Sequence, residues 1–246
     1  MAEPTEHEAR VNLAAAFRLV AHFGWDDLIS THISARVPGK EGRFLLNRRG
    51  DLFHEITASS LVEIDLDGAV ISPTGATVNA AGFTIHSAIH AAVPDAGCVI
   101  HLHSLYGTAV SMLRHGLVPT SQKAIALHSR LAYHAYEGIA FDLAERPRLI
   151  ADLGDCRAMI LRNHGTLAVG RTVPEAFSII YNLETACELQ VLAQSTGQEL
   201  LTPSAEVCAH VHRQTEPFAD FMRNLGHAAW PGLLRMLDAA DPSYRT

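Results

Sequence analysis

The chain has too few cysteines, too widely spaced, for a disulfide framework or a zinc ribbon. Cys98, Cys156, Cys187 and Cys208 form no C-x-x-C pair. A reducing compartment is therefore expected, the cytoplasm by default. No run reaches the ~20 consecutive apolar residues of a membrane span. The opening Met-Ala-Glu-Pro-Thr-Glu-His-Glu is acidic and carries no apolar signal core. Basic charge is not in excess either: the formal net charge is -7, which argues against sequence-independent nucleic-acid binding. No Pro/Gly/Ser-rich linker, internal repeat or low-complexity tract divides the 246 residues. One domain over residues 1–246 is expected, soluble, with neither nucleic acid nor membrane as partner.

What the chain does have is apolar residues, 48% of the total, and 15 histidines. The apolar spacing over 6–23 suits an amphipathic helix stopped by Gly24. Ile29–Val37 and Phe44–Leu46 look like short strands, and Leu61–Ile71 reads as a hairpin turning at Asp67-Gly68. A helix is expected over 80–92, ending before Pro94, then a strongly apolar strand over 97–103 and a helix over 105–114. Residues 123–136 are rich in His and Tyr without a clear period. Leu143–Leu153 reads as a helix, Ala158–Leu161 as a buried strand, Asn163-His-Gly165 as a tight turn and Thr166–Val169 as a strand. A long helix follows from Val173 to about Gln194, capped by Thr172 with Pro174 in its first turn. Two more helices are expected, over 204–225 and 230–240. Strands in the middle flanked by helices imply a layered α/β fold with a central mixed sheet.

The chemistry concentrates in two short words. His101 and His103 stand two apart on an apolar strand, so their side chains share one face. Two imidazoles there are costly to bury unless something satisfies them, and a divalent metal does so. His164, in Arg162-Asn-His-Gly165, projects from a turn at the end of another strand. Three histidines leave coordination positions open for water or substrate, the arrangement of a catalytic rather than a closed structural site. Taken alone, an H-x-H pair is a weak signal, and a hydrogen-bonded core pair is the ordinary alternative.

Longer words strengthen it. Gly82–His103, Asp51–Gly68 and Leu161–Gly170 resemble the core of the class II aldolase/adducin family, and the resemblance runs over about 8–215. It implies a three-layer α/β/α sandwich with a mixed, mainly antiparallel central sheet. It further implies a homo-oligomer, often a tetramer, with one divalent ion per subunit held by His101, His103 and His164. Zinc is the first expectation for that ion, with manganese or iron as alternatives.

The departures from the family pattern matter as much. Where family aldolases carry a glutamate as fourth ligand and acid/base, this chain has Gly82. The two serines that help hold a substrate phosphate correspond to Ala80 and Ala81, and a phosphate-binding glycine-asparagine word corresponds to Thr31-His32. A phosphoketose substrate is therefore not expected. Candidates for the missing acid/base are His86, one helical turn after Gly82, Lys123 and Glu184. For the last two, a solvated surface residue is the ordinary alternative. Asn47-Arg48-Arg49-Gly50 occupies the family's substrate-facing loop, where arginines could clamp a carboxylate, and His32 joins this substrate-binding set. Tyr133 and Tyr136 are candidates for the pocket mouth or for aromatic packing.

The leading expectation is a metal-dependent lyase acting on a C–C bond beside a carbonyl, an aldolase or decarboxylase. Its small-molecule substrate would be a non-phosphorylated keto or hydroxy acid, or an aromatic carboxylate. A non-haem Fe(II) oxygenase could use the same three histidines. A non-catalytic, adducin-like assembly module is the third possibility.

Overall fold

The computed structural model describes residues 4–246, with Ala81 described by its backbone alone. The first three residues of the acidic opening segment lie outside the described residues. Helix α1 (Glu6–His22) starts with a capping box, Thr5 and Glu8 bonding reciprocally to each other's backbone N–H groups. It ends as expected, with Gly24 at a φ of 68° just beyond the Phe23 cap.

Eight strands form one sheet: β1 (His32–Arg36), β2 (Arg43–Leu46), β3 (Val62–Asp65), β4 (Val70–Ser72), β5 (Cys98–Leu102), β6 (Leu131–His134), β7 (Ala158–Leu161) and β8 (Gly165–Gly170). Their spatial order is β4-β3-β2-β1-β5-β8-β7-β6. Every neighbouring pair is antiparallel except β6–β7, which is parallel. The sheet is mixed and mainly antiparallel, as the resemblance implied.

Side-chain alternation sorts each strand between two helical layers. Ile33, Ala35, Ile100, Leu102 and Ala168 pack with α1, α6 (Val173–Ser195) and α8 (Phe218–Ala240). On the opposite face, Val99, Leu167 and Val169 pack with Ile85 and Ile89 of α2 (Ala80–Ala92) and with Leu149 and Leu153 of α5 (Arg146–Leu153). The result is a three-layer α/β/α sandwich. No helix of the described residues is long and apolar enough to cross a membrane, and the four cysteines are free thiols.

Several element boundaries correct the sequence reading. The strand expected from Ile29 begins only at His32, and the helix expected over 105–114 is α3 (Leu105–Ser111). Residues 123–136 contain α4 (Gln122–His128) and the edge strand β6. The C-terminal helices are α7 (Ala205–Gln214) and α8, so the break falls at Thr215–Pro217 and not near residue 228. Pro217 caps α8, whereas Pro231 lies inside it. The Trp230 indole beside that proline donates to Asn12 on α1, 2.8 Å away, which ties the middle of α8 to the core.

Candidate metal centre

His101 is the last but one residue of β5, and His103 follows the strand's end. Their i, i+2 spacing places both rings on the α2 side of the sheet. His164 enters from the turn before β8, where Asn163 takes a left-handed conformation with φ 58°. That turn brings β8 back against β5 so closely that a methyl group on Gly165 would lie 2.2 Å from the Leu102 carbonyl oxygen. Only glycine permits this approach.

The three rings form a near-equilateral triangle, with centroids 4.8 Å (His101–His103), 4.7 Å (His101–His164) and 4.8 Å (His103–His164) apart. One nitrogen from each lies within 4.8 Å of the other two. The donor set is oriented from behind. His101 Nδ1–H donates to the Thr166 carbonyl at 3.0 Å, and His103 Nδ1 faces the Asp27 carboxylate at 3.1 Å. With both Nδ1 atoms engaged, the two Nε2 atoms confront each other 3.1 Å apart. In the neutral rings these are two lone pairs, an arrangement that a shared cation relieves. Carbonyl–imidazole and carboxylate–imidazole supports of this kind fix the tautomer of metal-binding histidines. The residues present thus fit a divalent ion.

Electrostatics favour the ligand form. Burial, reinforced by the neighbouring imidazoles, holds His101 well below the usual histidine range and pushes His164 down to about 4. A buried cation on carbon and nitrogen loses its hydration, so the neutral ring wins.

A cavity of about 540 Å3 opens in front of the triad, lined also by His32, Arg49, Asn79, Tyr136 and Phe141. Of the loop singled out in the sequence, Arg49 alone reaches this cavity. Arg48 turns away into a bidentate pair with Asp51. Asn47 is buried with its Oδ1 unpartnered, and Gly50 forms an exposed turn at φ 103°. Tyr136 lines the mouth. Tyr133 packs beneath the Arg162 guanidinium, 4.2 Å from its ring centre, and accepts from the Leu117 N–H.

The three acid/base candidates do not reach the triad's open side. Lys123 lines a separate, mainly apolar cavity, donates to Asn182 at 3.0 Å and lies over the Tyr181 ring. Glu184 is buried behind the site and accepts hydrogen bonds from the hydroxyls of Ser104 and Thr166. Burial outweighs those two bonds and raises its carboxyl to about 7. Its two partners, Ser104 and Thr166, directly follow His103 and Gly165 in the chain. His86 is fully buried behind His32, whose Nδ1 lies 3.0 Å from His86 Nε2.

Sequence reasoning missed Asp27, Ser34 and His90. His32 instead fills the space at Gly82: a methyl group there would lie 2.5 Å from His32 Cδ2. Ala80, one of the two positions matched to phosphate-holding serines, lines the cavity without a hydroxyl. The other, Ala81, has a side chain outside the described residues.

Comparison with known proteins agrees with this architecture. The family model for the class II aldolase and adducin N-terminal domain matches residues 11–191. The crystal structure of an aldolase II superfamily protein from Pseudomonas syringae is 48% identical, covers 100% of this chain and 98% of its own, and superposes with a TM-score of 0.92. An L-fuculose 1-phosphate aldolase from Glaciozyma antarctica is 28% identical, covers 100% of this chain and 97% of its own, with a TM-score of 0.84. Rat alpha-adducin is 41% identical over 249 residues, spanning 96% of this chain but only 34% of the adducin. Similarity in sequence is thus greater to the adducin than to the sugar-phosphate aldolase. The chain belongs to the class II aldolase and adducin family.

Proposed function

We propose that the chain is a divalent-metal-dependent lyase, with zinc as its ion, that breaks or forms a C–C bond beside a carbonyl in a small hydroxy or keto acid. The observation that carries this reading is the near-equilateral histidine triangle, braced by Thr166 and Asp27 and open to a cavity. A divalent ion bound there would supply Lewis-acid stabilisation of the negative charge that develops on a carbonyl oxygen, a charge common to aldol cleavage and decarboxylation.

The chain's own residues divide the remaining work. Arg49 on the cavity wall offers a planar guanidinium to a carboxylate. Tyr136 and Phe141 narrow the mouth and reduce water access. Asp27 and the Thr166 carbonyl hold two rings of the triad in one tautomer. Ala80 brings no hydroxyl to the cavity, which supports a non-phosphorylated substrate. We take the acting form to be a homo-oligomer. Tyr136, Ile139 and Phe141 expose apolar surface at the cavity mouth, a surface suited to a second copy, and a monomer by light scattering would remove this part of the reading.

Elemental analysis of freshly purified protein beside the His101→Ala variant tests the proposal. About one zinc or manganese per chain, lost in the variant, is the expected result. Iron with dioxygen uptake on adding substrate would replace the lyase by an oxygenase. Metal-free protein whose variant folds unchanged would leave an adducin-like assembly module.

A further inference from the structure

β1 and β5 pair so that His32 lies directly opposite His101. The two rings are 5.1 Å apart between centroids, so His32 stands beside the triad on the same face of the sheet. Behind it runs a line of buried polar groups. His32 Nδ1 lies 3.0 Å from His86 Nε2, and His86 Nδ1 lies 2.6 Å from Ser34 Oγ. Ser34 Oγ is in turn 2.8 Å from His90 Nε2, and His90 Nδ1 is 3.1 Å from the Ala96 carbonyl oxygen.

The far end of this line sets its direction. A carbonyl oxygen only accepts, so His90 Nδ1 carries a proton. Burial and the adjacent Arg36 guanidinium keep the His90 ring neutral, which leaves Nε2 bare to accept from the Ser34 hydroxyl. With its single proton committed, Ser34 Oγ accepts from His86 Nδ1–H. His86 Nε2 is then bare and accepts from His32 Nδ1–H. One fixed carbonyl therefore dictates the tautomer of three imidazoles, and the last one is left with an unprotonated Nε2. Among the described residues nothing donates to that atom, and His32 lines the cavity beside the triad. Gly82 keeps its place clear, since a Cβ there would lie 2.9 Å from His32 Nε2.

We infer that His32 is a specificity-determining residue, an obligate hydrogen-bond acceptor that selects ligands carrying a hydroxyl donor next to the oxygen held at the histidine triad. Ser34, His86 and His90 are positioning residues that act through it. The inference rests on the metal reading of the triad and adds the donor requirement. A ligand whose neighbouring oxygen is capped leaves the His32 lone pair buried and unpaired, which weakens binding about tenfold.

The test uses the full chain reconstituted with cobalt(II), whose visible spectrum reports ligand binding without turnover. Glycolate and methoxyacetate share a carboxylate and an α-oxygen, but only glycolate donates from that oxygen. Wild-type protein is expected to bind glycolate about tenfold more tightly. His32→Phe, similar in volume, should reduce the ratio to below about twofold while retaining cobalt. Ser34→Ala removes the oxygen that fixes His86, so His86 can invert and turn His32 Nε2 into a donor. The ratio should then fall or reverse, and this variant decides the matter if His32→Phe does not fold. Equal ratios in all three proteins, or no preference in the wild type, would overturn the inference and leave the metal reading standing. Wild-type protein that binds no cobalt would overturn both, and the missing spectrum would identify the metal reading as the point of failure.

Discussion

His103 Nδ1 lies 3.1 Å from Oδ2 of Asp27, a residue in the loop between α1 and β1 and 76 positions earlier in the chain. The carboxylate fixes the ring's orientation and tautomer. Asp27→Asn should weaken zinc affinity about 10–100-fold with the fold intact. Competition against a chelating dye measures it. Unchanged affinity would mean that the ring is held by its packing alone.

The metal-free protein should lose stability as the pH falls from 7.5 to 5.5. Burial keeps His86 and His101 far below their ordinary value, His32 and His90 at about 3, and His164 at about 4. The unfolded chain takes up these protons near pH 6.5. Stability is therefore full above that pH and declines below it, by about 1.4 kcal/mol per pH unit for each histidine held neutral. Glu184 works the other way. Its carboxyl is raised to about 7, so its contribution grows as the pH falls from 7 towards its unfolded value. Five histidines outweigh one carboxyl, and urea midpoints should drop on acidification. A flat profile would show that the five rings are not kept neutral.

Glu184→Gln tests the buried carboxyl directly. At pH 8 the amide avoids the cost of a buried charge and keeps an acceptor, so stability should equal or exceed that of the wild type. At pH 5 the advantage should disappear. Glu184→Ala should instead cost about 1–3 kcal/mol at either pH, since the Ser104 and Thr166 hydroxyls lose their acceptor. Parallel urea titrations of the three proteins separate these outcomes.

Gly165→Ala should cost about 1–3 kcal/mol and abolish stoichiometric metal binding. The added methyl meets the Leu102 carbonyl at 2.2 Å and His103 Cδ2 at 3.2 Å, so β8 must shift away from β5 and His164 moves with it. Equilibrium dialysis against zinc reads the second effect. Full retention of metal would show that the β5–β8 pairing can relax without disturbing the triad.

The triad was legible in the sequence because its signals are local. Strand alternation aligns His101 with His103, and the Asn-His-Gly word marks a turn. The periodic helices and the hairpin at Asp67-Gly68 were legible for the same reason. The rest depends on pairing between distant segments. His32 becomes a neighbour of His101 only through the β1–β5 register. Nothing local to Asp27, Ser34 or His90 announces a partner. β6 escaped notice because its four residues are an edge strand whose single sheet neighbour is β7. Lys123 and Glu184 show nothing local that tells which way their side chains face, and the fold turns one into another cavity and the other behind the sheet. The break between the C-terminal helices was expected too late in the chain, since α8 runs through Pro231 and begins after Pro217.

The distribution of the three histidines and Asp27 along the chain also orders events during folding. His101 and His103 stand two residues apart at the end of β5 and are near each other in any conformation of the chain, but His164 arrives only when β8 docks on β5, and Asp27 only when the loop before β1 settles. An unfolded chain therefore presents at most a loose pair of imidazoles to a passing ion. In a zinc finger the metal nucleates the structure. Here the sheet must close first, and an ion bound at the triad would lock a topology that has already formed, slowing its reopening instead of guiding its assembly.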